Sequence, residues 1–494
     1  MDGDEVKVAV YNLYWTTFGG GEQMAGAIVD ALSRDHEVEM IGHDPLDLDE
    51  ARERLGVRLE GVTFRRVPAD GYAATIASAD YDLFVNHTYR SVTPSLARLG
   101  LYFVMFPHEL GASTAQRVAR RVGRPVAWAA RLLGGVAERR GQAVIDGPTM
   151  VQVEPGARRV QVVLRSDLGE DVLATAVLPG AQPTRRRVDG RLEIEIPVPG
   201  EALGQVMVSP VLLAERRPEH ARLVLEQLIV DGRPVSVSPR ALAQRVVPVR
   251  AADFLATYQR VVANSDYTLG WTRRWWGRGE GVISPPVRMR AAGPKEQLIV
   301  SVGRFFGEGS GHSKRQLELV RAFRMMVEQG LVGWRLVLIG GCSGKDREYA
   351  MAVRREAAGL PVEVRLSAPG SVVDAHLAAA SVYWHGAGYG SDLERHPDRA
   401  EHFGIAPIEA MSAGAVPVVF DAGGPASVVR SEVDGLRWRT LDDLAAQTWR
   451  LVRDDALRAR LATSAAERAA RFAVEHCEQN IRDTVAEMAA EAPR

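Results

Sequence analysis

In the stretch EHFGIAPIEAMSAGAVPVVFDAGGP, Glu401–Pro425, a few residues punctuate the backbone. Pro407 suits the first turn of a helix, where a missing N–H leaves no hydrogen bond unmade. Gly414 suits the end of that helix, and AVPVVF after it reads as a buried strand. Loop, helix, glycine stop and strand are the repeating parts of a parallel α/β sheet. Glu401 falls in the loop and Glu409 within the first turns of the helix. A helix start offers free N–H groups and a positive dipole end, a seat for phosphate. Carboxylates beside it can accept sugar or ribose hydroxyls. The gap between the two glutamates is not itself informative. Glu193/Glu201, Glu348/Glu356 and Glu467/Glu475 share it, within helical or strand-like stretches that lack the phosphate-suited start.

The α/β pattern extends in both directions. Upstream, LIVSVGRF, WRLVLIGG, PVEVRLS and VYWHGAG read as strands, separated by the helical KRQLELVRAFRMMVEQG, KDREYAMAVRREAAG and VDAHLAAAS. The chain opens the same way, with a strand (VKVAVYNLY), a glycine run (FGGGEQ) and a helix (MAGAIVDALSRD). HEVEMIG, DLFVNHT and LYFVMFPHE follow as further strands. Residues 143–245 differ: short β-branched runs and an Asp231-Gly232 hairpin signal suggest a small inserted β-sandwich. The expected fold class is therefore α/β, with two Rossmann-like domains facing a cleft and an inserted β-rich domain. The expected boundaries are an N-terminal α/β domain over 1–142, completed by 246–290; the insert over 143–245; a C-terminal α/β domain over 291–475; and a terminal helix over 476–494. Within the first domain, residues 114–142 carry seven arginines against one acid, Glu138, interleaved with apolar residues. That composition suits a helix lying on an anionic membrane surface, or a solvated helix with a packed underside.

Composition narrows the function classes. A net charge of −1 over 494 residues gives no global field toward nucleic acid. Two cysteines, Cys342 and Cys477, exclude a disulfide framework and a cysteine-based zinc cluster. The acidic start lacks a signal-peptide pattern, and no apolar run has the ~18 residues of a membrane span. A cytoplasmic protein is expected, with peripheral attachment at the inner face of a membrane left open. GCSGKD is not a Walker loop and GAGYG lacks the full dinucleotide fingerprint. Asp47-Leu48-Asp49 lies in an acidic loop far from the Glu401–Pro425 stretch and lacks other oxygen ligands nearby, so neither a metal site nor a cofactor is expected.

EHFGIAPIEAMSAG followed by GGP resembles the E-x7-E signature of the retaining family 4 glycosyltransferases, which have the GT-B fold. FGGGEQ, ANSDYT, VISPPV and SVGRF…HSKRQLELVRAF match further segments of that family in order. The likeness runs toward its eukaryotic α-1,2-mannosyltransferases of lipid-linked oligosaccharide assembly. It covers roughly residues 6–113 and 250–475, leaving out the insert. The resemblance implies that Glu401 binds hydroxyls of the donor sugar and Glu409 the ribose of the nucleotide. It implies that backbone groups at Phe403, Gly404 and Ile405 touch sugar and diphosphate. His108 would touch the donor sugar, and Gly19, Gly20 and Gly21 would form a loop between donor phosphate and acceptor. Arg304 and Lys314 would neutralise the diphosphate. Charge supports that last role independently, because two fixed cations stabilise a leaving group that gains negative charge as the bond breaks. The loop between those cations, FFGEGSGHS, is longer than the family's usual one.

The expected activity is a retaining, metal-independent transfer of a sugar from a nucleotide-diphosphate sugar to a glycan or lipid-linked acceptor. The likeness favours mannose, while base, sugar and acceptor stay open. Two alternatives remain at this stage: a nucleotide-sugar epimerase of the same fold, and a glycan-binding protein acting through the insert.

Overall fold

The computed structural model describes residues 6–68, 73–109, 254–307 and 313–491. Between 143 and 248 it describes segments 143–145, 149–153, 159–166, 172–177, 184–188, 191–197, 205–212, 223–235 and 246–248. The basic stretch 114–142 lies outside the described residues, so the membrane-surface reading of it is not addressed by the structure. Among the described residues no helix is long and apolar enough to cross a membrane.

The chain divides into two units. The first comprises Met1–Val262, Trp275–Glu280 and Arg482–Arg494; the second comprises Ala263–Arg274 and Gly281–Ile481. The expected pair of parallel α/β sheets is present.

In the first unit, β1 (Lys7–Tyr11), β2 (Glu37–Gly42), β3 (Thr63–Arg66), β4 (Leu83–Asn86), β5 (Leu99–Val104) and β6 (Arg260–Ala263) lie in the order β6-β5-β4-β1-β2-β3. The pairs β1·β2, β1·β4, β2·β3 and β4·β5 are parallel. Burial on both faces explains the continuous apolar runs of β4 and β5, whose every residue is buried. The glycine run is the start of helix α1 (Gly20–Leu32). Glu22 closes that start by accepting from the Gly19 N–H at 2.7 Å and the Thr17 hydroxyl at 2.6 Å. Asp47 accepts from the N–H groups of Asp49 and Glu50, as the cap of the helix Leu48–Leu55.

Between the first unit's fifth and sixth strands, the described segments form two five-stranded antiparallel sheets. Val151 and Val208 of one sheet share a buried cluster with Val160, Val162, Leu164 and Leu225 of the other. Asp231 and Gly232 both have positive φ, 49° and 77°, and pair Val230 with Arg233 across a tight hairpin.

The second unit is built on β7 (Glu296–Val302), β8 (Arg335–Gly340), β9 (Val362–Leu366), β10 (Ala380–His385), β11 (Val416–Phe420) and β12 (Leu436–Trp438). They run in the order β9-β8-β7-β10-β11-β12 with every pair parallel. Strand order reverses between β7 and β10. Crossovers on either side of that reversal leave opposite faces of the sheet and open a crevice at the carboxyl ends of those two strands. GVISPPV, residues 281–287, contributes only Gly281–Val282 as strand and an isolated bridge at Val287. Its two prolines lack the N–H a longer ladder would need. Trp384 and Trp438 fill the core, where a buried indole N–H requires a partner. Trp384 donates to the Thr448 hydroxyl at 3.0 Å, and Trp438 to the His385 carbonyl at 3.2 Å.

Candidate active site

The helix expected inside the opening stretch is α2 (Ile405–Ser412). Pro407 is its third residue. Gly414, at φ 80°, ends it: the Gly414 N–H donates to the Met411 carbonyl at 2.9 Å and the Ala415 N–H to Ala410 at 2.9 Å. That pair of bonds is a Schellman closure, which needs a left-handed residue between helix and strand. At the other end Gly404, at φ 96°, turns the loop into the helix. A side chain there would meet Pro425 Cγ at 2.9 Å.

The loop ahead of α2 is held from two directions. The Gly424 N–H donates to the Glu401 carbonyl at 2.7 Å. The Ser265 hydroxyl donates to the His402 carbonyl at 2.5 Å while accepting from the Thr268 N–H at 3.1 Å. A Cβ on Gly424 would lie 2.4 Å from the Phe403 Cα, so only glycine permits this approach. The Phe403 side chain is buried against Phe472 and Ile408, which leaves its backbone as the group able to meet a ligand. ANSDYT and GGP, which the sequence offered only as matching text, thus act together to fix the backbone on which Glu401 is carried.

Both glutamates are held by a cation through one oxygen. Lys314 Nζ donates to Glu401 Oε2, and among the described residues no hydrogen bond reaches Oε1. Burial alone would push the Glu401 carboxyl up; the charge and hydrogen bond of Lys314, together with His385 and His402, outweigh it and hold the group at about 2. Arg290 reaches Glu409 Oε1 through Nε at 3.1 Å and a second guanidinium nitrogen at 2.5 Å, while also pairing with Asp374. Burial keeps the Glu409 carboxyl above the usual carboxylate range even so, against the pull of Arg290 and with Asp374 adding to the rise. The negative charge of each glutamate also reaches the buried Tyr383 phenol, whose hydroxyl donates to the Val302 carbonyl at 3.2 Å.

The cations stand where the reversal of strand order puts them. Arg304 follows the end of β7 and is exposed, with its guanidinium 5.7 Å from the Phe306 ring centroid and no ion pair among the described residues. Lys314 precedes helix α3 (Gln316–Glu328), through Arg315 in a left-handed conformation. Gly340 of β8 lies so close to the Arg304 loop that an added Cβ would be 1.9 Å from the Gly303 carbonyl oxygen. The middle of the long loop, residues 308–312, lies outside the described residues.

Two contributors were not singled out in the sequence. Arg290 lies in the polar run VRMR after the prolines, and nothing in its spacing ties it to Glu409. His385 ends β10 with a ring 4% exposed; its Nε2 is 3.5 Å from Glu401 Oε2. Burial lowers this imidazole to about 4, so it is neutral at neutral pH. Its position at a strand's carboxyl end beside the topological switch was the available signal.

The other expected site residues lie in the first unit. His108 is half-buried, its Nδ1 has no partner among the described residues, and its carbonyl accepts from Trp276 Nε1 at 2.8 Å. Burial lowers its pKa, and Arg90 adds to the effect. Gly20 is the first residue of α1, and Gly21 follows it so near to Met105 that a Cβ would sit 2.4 Å from the methyl group. The decoy Glu356 is a structural ion-pair partner of Arg324 at 3.4 Å. Among the described residues no group of His, Cys, Asp and Glu is arranged to hold a metal ion.

Comparison with known proteins meets this site directly. Residues 289–468 match the family described as Glycosyl transferases group 1, and they include Arg290, Arg304, Lys314, His385, Glu401 and Glu409. The GDP-Man:Man(3)GlcNAc(2)-PP-Dol alpha-1,2-mannosyltransferase of Xenopus laevis is 29% identical over 138 residues, covering 26% of this chain and 25% of that protein. Its Homo sapiens counterpart is 28% identical over 185 residues, covering 33% and 34%. The match therefore spans about a third or less of these curated relatives' length. Among solved structures, Anabaena Alr3699/HepE in complex with UDP superposes with a TM-score of 0.55 at 13% identity, over 97% of this chain and 100% of that one. Sucrose-phosphate synthase (tll1590) from Thermosynechococcus elongatus gives 0.53 at 14%, over 98% and 99%. A glycosyltransferase from Rickettsia africae gives 0.54 at 9%, over 99% and 100%. The chain resembles the group 1 glycosyl transferases in sequence over its second unit, and it shares the α/β fold of these solved structures.

Proposed function

We propose that this chain is a retaining glycosyltransferase that takes a nucleotide-diphosphate sugar and delivers the sugar to a hydroxyl of a glycan or lipid-linked acceptor. The observation that carries the reading is the Lys314–Glu401 pair, placed with Arg304 where β7 and β10 reverse the strand order. A sugar-binding carboxylate and two cations for a diphosphate are what such a donor requires.

In this reading the Glu401 Oε1 oxygen accepts a hydroxyl of the donor sugar. Lys314 uses one of its three ammonium protons on Glu401 and turns the others to the diphosphate. Arg304 presents its guanidinium fork to the same phosphates. As the bond from the anomeric carbon to the phosphate oxygen breaks, negative charge grows on the diphosphate, and both cations gain in interaction energy. The departing phosphate oxygen takes the acceptor's proton on the same face, and the acceptor oxygen bonds to the anomeric carbon. Configuration is kept without a protein nucleophile. Arg304 and Lys314 supply the charge that a metal ion provides elsewhere. Glu409 Oε2 accepts ribose hydroxyls while Arg290 holds Oε1.

The curated relatives' printed activity puts GDP-mannose first among donors, and the UDP complex of the Anabaena protein puts UDP-sugars second. A thermal-shift panel of nucleotide sugars ranks them, because a bound donor raises apparent stability by mass action. Transfer to a lipid-linked acceptor is then assayed with the best donor, beside Glu401→Gln and Arg304→Ala. Both variants should remain folded and lose transfer. Wild-type turnover in either would remove that residue from the site, and no shift with any nucleotide sugar would sink the reading.

A further inference from the structure

We infer that His385 is a positioning residue for Glu401: its neutral ring donates from Nε2 to the carboxylate and fixes which oxygen is left for the sugar. This inference rests on the reading of Glu401 as the donor-sugar ligand.

The backbone fixes where the ring sits. His385 is the last residue of β10, and its carbonyl is tied down by the Trp438 indole at 3.2 Å. The ring is 4% exposed and has little freedom to turn. Buried polar atoms are nearly always paired, yet among the described residues Nε2 has no hydrogen-bond partner. Among the described residues, the one carboxylate oxygen paired with it by distance is Glu401 Oε2, at 3.5 Å. A bare nitrogen lone pair facing a carboxylate is repulsive, so the tautomer with the proton on Nε2 is the one this arrangement favours. A small closing movement then makes the hydrogen bond, as often happens when a site fills.

The consequence lies in the choice of oxygen. Lys314 also meets Glu401 at Oε2. A lysine ammonium is a rotatable point charge and cannot by itself hold a carboxylate in one orientation. A planar donor anchored at a strand end can. With both donors on Oε2, Oε1 is the oxygen left for a hydroxyl of the ligand.

The test uses His385→Gln, whose side-chain amide reaches the place of Nε2, and His385→Phe, which fills the space without a donor. Affinity for a nucleoside diphosphate, affinity for the nucleotide sugar, and kcat and KM are measured for each. His385→Phe should bind the nucleoside diphosphate within about twofold of wild type and lose about 10- to 100-fold in turnover, the scale of one hydrogen bond to a charged group. His385→Gln should recover most of that loss. Two results would overturn the inference: unimpaired turnover in His385→Phe, or equal impairment in both variants together with lowered nucleoside-diphosphate affinity. A separate arm needs no activity. In the ring 15N spectrum of wild type, the His385 signals, assigned by their absence in His385→Gln, should show the Nε2–H tautomer and change in Glu401→Gln. An Nδ1–H tautomer overturns the proposal even if sugar transfer is observed. Absence of transfer by wild type, with the Nε2–H signature present, places the failure in the functional reading instead.

Discussion

Arg290 grips Glu409 through a single carboxylate oxygen, with Nε at 3.1 Å and a second nitrogen at 2.5 Å from Oε1. Both side chains are mostly buried, at 16% and 13% exposed. Arg290 therefore favours the ionised form of a carboxyl that burial pushes upward. Removing the guanidinium should raise the Glu409 pKa further, and a protonated carboxyl is a poorer acceptor for ribose hydroxyls. Arg290→Met should weaken nucleoside-diphosphate binding about 10-fold or more at pH 6, on the scale of a hydrogen bond to a charged group. The deficit should shrink at pH 8.5, because raising the pH favours the ionised carboxylate. Titration calorimetry at the two pH values decides. A deficit of equal size at both would mean that Arg290 touches the ligand itself.

Lys314 and Glu401 form a second such pair, 22% and 21% exposed. Losing one partner strands a buried charge, which costs about 3–5 kcal/mol, whereas losing both leaves none. Lys314→Met should destabilise the chain more than Lys314→Met combined with Glu401→Gln, although neither transfers sugar. A denaturant series on the two single variants and the double variant measures this. Additive costs would show that the pair is not coupled in solution.

How far the sequence discloses this site follows from what kind of contact each residue makes. The helix around Pro407 and its glycine stop were legible because backbone conformation restricts which residues fit, and such restrictions are local. The α/β class was legible from buried strands alternating with amphipathic helices. Glu401, Lys314 and Arg304 were reached through resemblance and charge; the meeting of Lys314 with Glu401 depends on strand order, which no local pattern encodes. Arg290 and Glu409 are 119 residues apart, and an arginine in a polar turn looks like any solvated arginine. His385 was hidden for the opposite reason: within the apolar run VYWHGAG it reads as part of the core.

The glycines of GGP offer a test of the loop independent of its charges. Gly424→Ala would place a methyl group 2.4 Å from the His402 carbonyl oxygen and 2.4 Å from the Phe403 Cα, both of them backbone. The loop must then move, and the Gly424 N–H bond to the Glu401 carbonyl is lost with it. Stability should fall by about 1–3 kcal/mol, as for overpacking elsewhere, and transfer should fall with it. Gly270, within the helix Asp266–Trp276, has nothing within 4 Å of its missing Cβ. Gly270→Ala should therefore stabilise, by about 0.5–1 kcal/mol. Melting temperatures that move in opposite directions are the expected outcome; two variants that both melt like wild type would show the loop to be slack.

The first unit carries its own pH dependence. His87 follows the end of β4; it is 2% exposed, its backbone N–H donates to the Tyr11 carbonyl at 3.0 Å, and its ring Nδ1 has no partner among the described residues. Burial lowers the ring from 6.5 to about 4, so the folded protein holds it neutral where the unfolded chain would already be protonated. Between those two values the unfolded chain binds the additional proton, and stability rises with pH. The contribution is complete above pH 6.5 and falls away toward pH 4, by about 3 kcal/mol over the window. His87→Gln removes the titration. Its apparent melting temperature should decline less than that of wild type between pH 7 and pH 4.5, whatever the offset between the two at neutral pH. Parallel curves would mean that the ring accepts its proton inside the folded unit, which would require a partner for Nδ1 that this packing does not provide.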